Sequence, residues 1–268
     1  MCYKKHPYRW PTIGLEPSHI SDSTLADVSS FYKKYYSPDN AILVIAGNIE
    51  AEKGKELAEK YFGNIKPSGI QKRELPKEEK QTAPRKIIQE QNIPLDAIYI
   101  AFHIPARMDD GYYAADILSD LLGSGKSARL NKGLRKKKHL FMEIDAYVTG
   151  SFDPGLLIIE GKVAENVNIE EAEKEIWNIL EEIKQNPITE NELNKLKNKA
   201  LSALIFNENN LLNRSMSLAF YECLGDANYI NQETIKYQAL NAEILFSAAK
   251  EVFAKENSNT LIYKRKEV

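Results

Sequence analysis

Two residues invite a chemical reading before any others: Arg214 and Tyr221, within Asn213-Arg-Ser-Met-Ser-Leu-Ala-Phe-Tyr-Glu-Cys-Leu-Gly225. At about 100° per residue, seven positions bring a helix back to within about 20° of its starting direction. The two side chains therefore share one side of a helix. Leu212, Met216, Ala219, Phe220 and Cys223 gather near the opposite side, which is the expected apolar face. A guanidinium and a phenol so placed can donate hydrogen bonds to peptide carbonyls, or stabilise a developing oxyanion. A cation–π or surface pair without function uses the same two residues.

The other suggestive groups read as structure. Gly123-Ser124-Gly125-Lys126-Ser127 imitates a phosphate-binding loop, but that loop needs a glycine where Asp120 stands, and a buried strand before it. The segment before it is helical, so the glycines mark a joint between two helices. Arg135-Lys136-Lys137-Lys138 is a solvated basic run at a helix C-terminus, where the macrodipole favours cations. The four histidines, His6, His19, His103 and His139, form no i, i+4 pair and no His-Glu-x-x-His or His-x-x-Glu-His motif. A catalytic zinc needs three converging protein ligands, and nothing here supplies two at fixed spacing. No metal is expected on this chain.

Composition sets the outer limits. The 268 residues are 43% apolar and 28% charged, enough for a sizeable core. Thirty-six Lys and Arg against 38 Asp and Glu leave a net charge of −2, which gives no electrostatic reason to bind nucleic acid or an anionic membrane. No apolar run approaches the roughly 18 residues of a membrane span, and residues 1–10 are too polar and aromatic for a signal peptide. A soluble protein follows. The cytoplasm is its default compartment, or the periplasm if the natural start lies upstream of Met1. Two cysteines, Cys2 and Cys223, make neither a disulfide framework nor a zinc knuckle.

The elements that must hold these groups fall into two blocks. In the first, Leu25, Val28, Phe31, Tyr32 and Tyr35 predict a helix over residues 22–36, ended by the turn Ser37-Pro38-Asp39-Asn40. The run Ala41-Ile-Leu-Val-Ile-Ala-Gly47 predicts a fully buried strand, and residues 50–62 a helix stopped by Gly63. Residues 64–85, with Pro67, Pro76, Pro84, Gly69 and mixed charge, read as a linker.

The second block is richer. Strands are expected over residues 86–91, 97–103, 144–149 and 156–163, the last two a hairpin turning at Asp153-Pro154-Gly155. Helices are expected over residues 111–122, 127–137 and 168–185. A further helix begins from a Thr189/Glu192 capping box, breaks near residues 207–210 and continues to Leu224. Another runs over residues 232–253, and residues 260–264 close as a strand. Interleaved strands and helices with a hairpin give an α+β two-layer sandwich, one mixed or antiparallel sheet with helices on one face.

Taken in order, His6-Pro-Tyr, Thr12-Ile-Gly14 and Phe31-Tyr resemble one known family, the pitrilysin/insulinase (M16) zinc metallopeptidases. Tyr35-Tyr-Ser-Pro-Asp-Asn40, Leu43-Val-Ile-Ala-Gly47, Leu121-Leu-Gly-Ser-Gly-Lys-Ser-Ala-Arg-Leu130 and Leu134-Arg135 continue the resemblance. It covers nearly the whole chain, and Arg214 and Tyr221 match the family's substrate-binding arginine and tyrosine at the same spacing. The family's inverted zinc motif, His-x-x-Glu-His, lies before the His-Pro-Tyr segment, and this sequence starts at that segment.

The resemblance implies a division of the chain. Residues 1–63 correspond to the C-terminal part of the catalytic-type domain, 64–85 to the linker between halves, and 86–268 to a complete substrate-binding domain. It also implies a function: the substrate-binding half of a zinc metalloendopeptidase, inactive alone, with zinc and its general base in another half or a partner subunit. Arg214 would hold a substrate carbonyl and Tyr221 would bind or help polarise the scissile group. The expected partners are a peptide, a catalytic M16 half or subunit, and a second copy of the chain. The alternative is a non-catalytic structural or assembly subunit of a heteromeric M16-like complex.

Overall fold

The computed structural model describes residues 1–70 and 74–266; residues 71–73 of the expected linker and the terminal 267–268 lie outside the described residues. Contacts divide the chain into two compact units. Unit 1 comprises Met1–Cys2, Lys80–Leu204 and Glu233–Val268, and unit 2 comprises Tyr3–Glu79 and Ile205–Gln232.

Unit 1 is built on five strands: β1 (Arg85–Gln91), β2 (Ala97–His103), β3 (Phe141–Val148), β4 (Leu156–Val163) and β5 (Ser258–Arg265). Their spatial order is β1-β5-β2-β4-β3. Only the β1–β5 pairing is parallel; the other three are antiparallel. Alternation along each strand sets the two faces of the sheet. Ile98, Ile100 and Phe102 of β2, and Leu157 and Ile159 of β4, are fully buried, whereas Tyr99, Glu160 and Lys162 belong to the more open face. Burial on one face only is the signature of a sheet covered by helices on a single side.

The covering helices of unit 1 include α4 (Asp110–Leu122), α5 (Ile169–Gln185) and α9 (Ala242–Val252). In α5, Ile169, Ala172, Ile176, Leu180 and Ile183 recur at helical spacing and are all buried. Each of the larger ones contributes about 1.5–3 kcal/mol by leaving water. Asn168 caps this helix, its Oδ1 accepting from the N–H groups of Glu170 at 2.8 Å and Glu171 at 3.0 Å. Phe102 joins the layers, its ring edge-on to Trp177 at 5.9 Å and to Phe253 at 5.3 Å.

The two-layer α+β reading stands, and the hairpin pairs as expected, with Val148 opposite Leu157. The expected helix over residues 127–137 becomes a π-helical stretch at Asn131–Lys137. The expected helix over residues 232–253 is two helices, α8 (Glu233–Ala239) and α9. The break lies at Asn241, whose Oδ1 accepts from Ile244 N at 2.8 Å and so starts a new helix. Half of the Thr189/Glu192 box forms at the start of α6 (Glu190–Glu208). Glu192 N donates to Thr189 Oγ1 at 3.3 Å, while the Glu192 carboxylate accepts from Arg129 at 2.9 Å.

Unit 2 contains α1 (Ser18–Ser21), α2 (Leu25–Tyr35), α3 (Ala51–Phe62) and α7 (Leu211–Cys223). A complete capping box opens α2: Asp27 N donates to Thr24 Oγ1 at 3.2 Å, and Thr24 N donates back to Asp27 Oδ2 at 3.0 Å. The turn after α2 is held by Asp39, whose carboxylate accepts from Ser68 N, Gly69 N and Ile70 N at 3.1, 2.8 and 3.2 Å.

Residues 41–47 correct the sequence reading: they form no strand and are not buried. A strand needs a neighbour to take its N–H and C=O groups, and no described residue hydrogen-bonds the backbone of residues 42–47. The apolar positions of α2 are likewise open, with Leu25 82% exposed.

Candidate functional site

Arg214 and Tyr221 both lie on α7, as their spacing required. Two turns separate them, about 10 Å along the axis at 1.5 Å per residue. Asn210 starts the helix, its Oδ1 accepting from Leu212 N at 2.9 Å and Asn213 N at 3.2 Å. Arg214 N donates to Asn210 O at 3.0 Å, which places Arg214 in the first turn. Tyr221 sits in the last turn, where its carbonyl accepts from Leu224 N at 3.0 Å and Asp226 N at 3.2 Å.

The environments of the two residues differ. Arg214 is exposed, whereas Tyr221 is only 3% exposed and meets the Phe220 ring edge-on at 5.6 Å. The face expected to be buried is the open one. Leu212 is 66% and Met216 62% exposed, and Cys223 is exposed as well. Periodicity located the two sides of α7 correctly, but within unit 2 the burial falls on the tyrosine side.

Three of the histidines make hydrogen bonds to the main chain. His6 Nδ1 accepts from Tyr8 N at 3.2 Å, His19 Nδ1 from Leu15 N at 3.3 Å, and His103 Nε2 lies 3.0 Å from Cys2 O. Among the described residues, no group of three or more His, Cys, Asp or Glu is placed to hold a metal ion. A catalytic zinc therefore does not fit the residues present. Nor is any described helix long and apolar enough to cross a membrane.

The Gly-Ser-Gly-Lys-Ser joint contributes Gly123 and Gly125 to a cavity of about 350 Å³ on unit 1, with Arg135 and Lys162 facing Glu143, Asp145 and Glu160. Three carboxylates against two cations are the wrong balance for a phosphate. Of the basic run, Lys138 pairs with Glu175 at 2.6 Å, and Lys136 Nζ donates to Lys126 O at 2.9 Å. A larger cavity, about 750 Å³, lies beside it among Tyr99, Tyr263, Met142 and Pro94.

One polar cluster in unit 1 was not visible in the sequence. Buried Arg107 forms an ion pair with buried Glu233, and its guanidinium stands 4.5 Å from the Tyr112 ring centre. Close by, Tyr237 Oη donates to Asp116 Oδ2 at 2.7 Å. Burial pushes the Asp116 carboxyl above its ordinary range and the Tyr112 phenol up to about 12. Residues 107 and 233 are too far apart in sequence for any local pattern to announce their pairing.

With this geometry established, comparison with known proteins identifies the family. Residues 22–200 match the family described as "Peptidase M16 inactive domain". The chain is 30% identical over 268 residues to the zinc protease PqqE of Helicobacter pylori, covering 98% of this chain and 60% of that protein. A crystal structure of a protease from Helicobacter pylori superposes with a TM-score of 0.90 at 29% identity, covering 98% of this chain and 64% of that one. A peptidase M16 inactive domain from Pseudomonas fluorescens shares the fold, with a TM-score of 0.83 at 20% identity, covering 99% and 63%. The chain thus spans about three-fifths of the length of the relatives it matches. It belongs to the peptidase M16 inactive domain family.

Proposed function

We propose that this chain is the substrate-binding half of an M16-type zinc metalloendopeptidase, inactive in proteolysis on its own. One observation carries the reading. A chain matched to relatives named zinc proteases has no metal-holding group among its described residues, yet keeps an arginine and a tyrosine in register on one helix. Zinc, which activates water for attack on a peptide carbonyl, then belongs to a separate catalytic half. Residues 1–63 belong to the catalytic-type domain, residues 64–85 link it onward, and residues 86–268 form the substrate-binding domain.

Within this chain the work is binding and polarisation. The exposed Arg214 guanidinium has five N–H donors in a planar fork and holds a peptide carbonyl. Tyr221 carries the hydroxyl that would bind or help polarise the scissile group, its ring held in place by burial. Donors set in advance need no reorganisation when charge develops on an oxygen.

The test uses the purified chain, fluorescein-labelled casein peptides and added zinc. Fluorescence anisotropy is expected to rise with chain concentration, while mass spectrometry finds the peptides uncut. Zinc-dependent cleavage by the chain alone overturns the reading. So does the absence of peptide binding at millimolar chain, which favours an assembly subunit.

A further inference from the structure

We propose that the open face of the unit 1 sheet carries a two-part subsite for peptides, one cavity taking a lysine or arginine side chain and its neighbour an apolar one. The inference rests on the proposed function and deepens it, because it names which peptides the chain would hold.

Strand register carries the argument. Across β3 and β4, Glu143 stands opposite Lys162 and Asp145 opposite Glu160. On the other side of β4, Ala97 and Tyr99 of β2 stand opposite the same Lys162 and Glu160, and Tyr263 of β5 lies beyond Ala97. Side chains two positions apart along a strand share a face, about 7 Å from one another. The open face therefore shows two neighbouring rows. The first runs Tyr263, Ala97, Lys162 and Glu143; the second runs Tyr99, Glu160 and Asp145.

The first row is electrically closed. Lys162 pairs with Glu143 at 2.7 Å, and Lys162 foremost, with Arg135 more weakly, holds the Glu143 carboxyl below its ordinary range. The second row is open. Asp145 and Glu160 are like charges directly opposite, an arrangement that destabilises a sheet, and among the described residues neither has an ion pair. Glu160 Oε2 accepts from Tyr147 Oη at 3.2 Å, and Asp145 Oδ1 from Ala146 N at 2.8 Å, so each carboxylate keeps a second oxygen. Both line the cavity of about 350 Å³ together with Asn131, whose Oδ1 is buried and accepts no hydrogen bond. A buried acceptor of this kind calls for a donor.

The occupant must bring positive charge and several donors. A metal ion does not fit, since among the described residues no group of three is placed to hold one. A guanidinium has five N–H donors and an ammonium three, each on a long apolar stem. The larger cavity, about 750 Å³, shares Tyr99, Glu143 and Lys162 with the smaller one and adds Ile93, Leu95 and Met142. It takes an apolar side chain two residues from the basic one, because an extended peptide repeats its same-side positions at the spacing of the rows.

The test titrates the purified chain into fluorescein-labelled peptides with the core Leu-Ala-Arg-Ala-Leu, which sets leucine two places from arginine in either chain direction. Replacing the arginine by citrulline keeps the shape and removes the charge; it is expected to weaken binding at least tenfold, as is replacing both leucines by serine. Asp145→Asn combined with Glu160→Gln keeps both acceptors and removes the opposed charges. This double variant is expected to melt no lower than the parent, while its preference for arginine over citrulline falls below threefold. Equal affinity of the parent for the arginine and citrulline peptides overturns the proposal. So does an arginine preference that survives in the double variant, or a leucine-to-serine change without effect. In those three outcomes peptide binding persists and the proposed function stands; binding of none of the peptides overturns both.

Discussion

Arg214 and Tyr221 stand two turns apart on one side of α7, the first open to solvent and the second 3% exposed. That asymmetry separates their roles in experiment. Removing an exposed guanidinium leaves packing untouched, so Arg214→Ala is expected to keep the parent's melting temperature within about 1 °C, since surface changes away from special features are usually nearly neutral. If it holds a carbonyl, peptide affinity drops about tenfold or more, the worth of a hydrogen bond from a charged donor. Tyr221→Phe keeps the ring and removes only the hydroxyl, so it weakens binding less. Anisotropy titrations beside thermal melts check both; unchanged affinity in Arg214→Ala removes the arginine from the site.

Asp39 gives a pH signature in unit 2. The hydroxyl of Ser37, followed by the amides of Ser68, Gly69 and Ile70, holds its carboxyl far below the ordinary carboxylate range. A depressed folded-state pKa means the stabilisation is fully present above the unfolded value, about 3.9, and is lost as pH falls from there through the folded value. The Gly69 amide resonance is therefore expected to hold its position down through pH 4 and to move only in stronger acid. Asp39→Asn moves it at neutral pH. A midpoint near 4 in the parent contradicts the assignment.

How much of this was legible beforehand depends on where the information lies. Strand β4 and helix α5 carry their burial in their own periodicity, so the sequence located both almost to the residue. Residues 41–47 carry the same apolar signal, but a strand is a property of two segments, and the described residues contain no second one. Helix α7 showed which residues share a side but not which side is covered, because that depends on what packs against it. The Arg107–Glu233 pair joins a loop to a helix distant in sequence, and no spacing rule reaches across such a gap.

Asp116 and Tyr237 predict the opposite pH trend. Burial raises the Asp116 carboxyl, partly offset by the Tyr237 hydrogen bond and, more weakly, by Arg107 and Lys199. A raised folded-state value means the native protein holds this proton more tightly than the unfolded chain. The associated stability is full below about pH 3.9 and is lost as pH rises through the folded value. Asp116→Asn keeps an acceptor for Tyr237 and removes the charge, so its stability should decline less between pH 4 and 8. Tyr237→Phe leaves a buried carboxylate short of a donor and should cost about 1–3 kcal/mol at pH 7. Urea titrations across that range measure both; a parent and an Asp116→Asn protein with parallel pH profiles refute the coupling.

Gly123 tests the packing beneath the glycine joint. A Cβ there would lie 2.0 Å from Ala146 N and 2.7 Å from Ala146 O, so the end of α4 meets the backbone of β3 with no room for a methyl group. Backbone cannot swing aside as a long side chain can. Gly123→Ala must therefore lift the helix end off the strand, costing about 1–3 kcal/mol as overpacking does. Gly125 is the control. Its Cβ would enter open space, but its φ of +98° is one that side chains rarely adopt, so Gly125→Ala should cost about 1 kcal/mol from backbone strain alone. Urea unfolding midpoints should fall further for Gly123→Ala than for Gly125→Ala. The reverse order would mean that backbone conformation, not close approach, requires glycine at this joint.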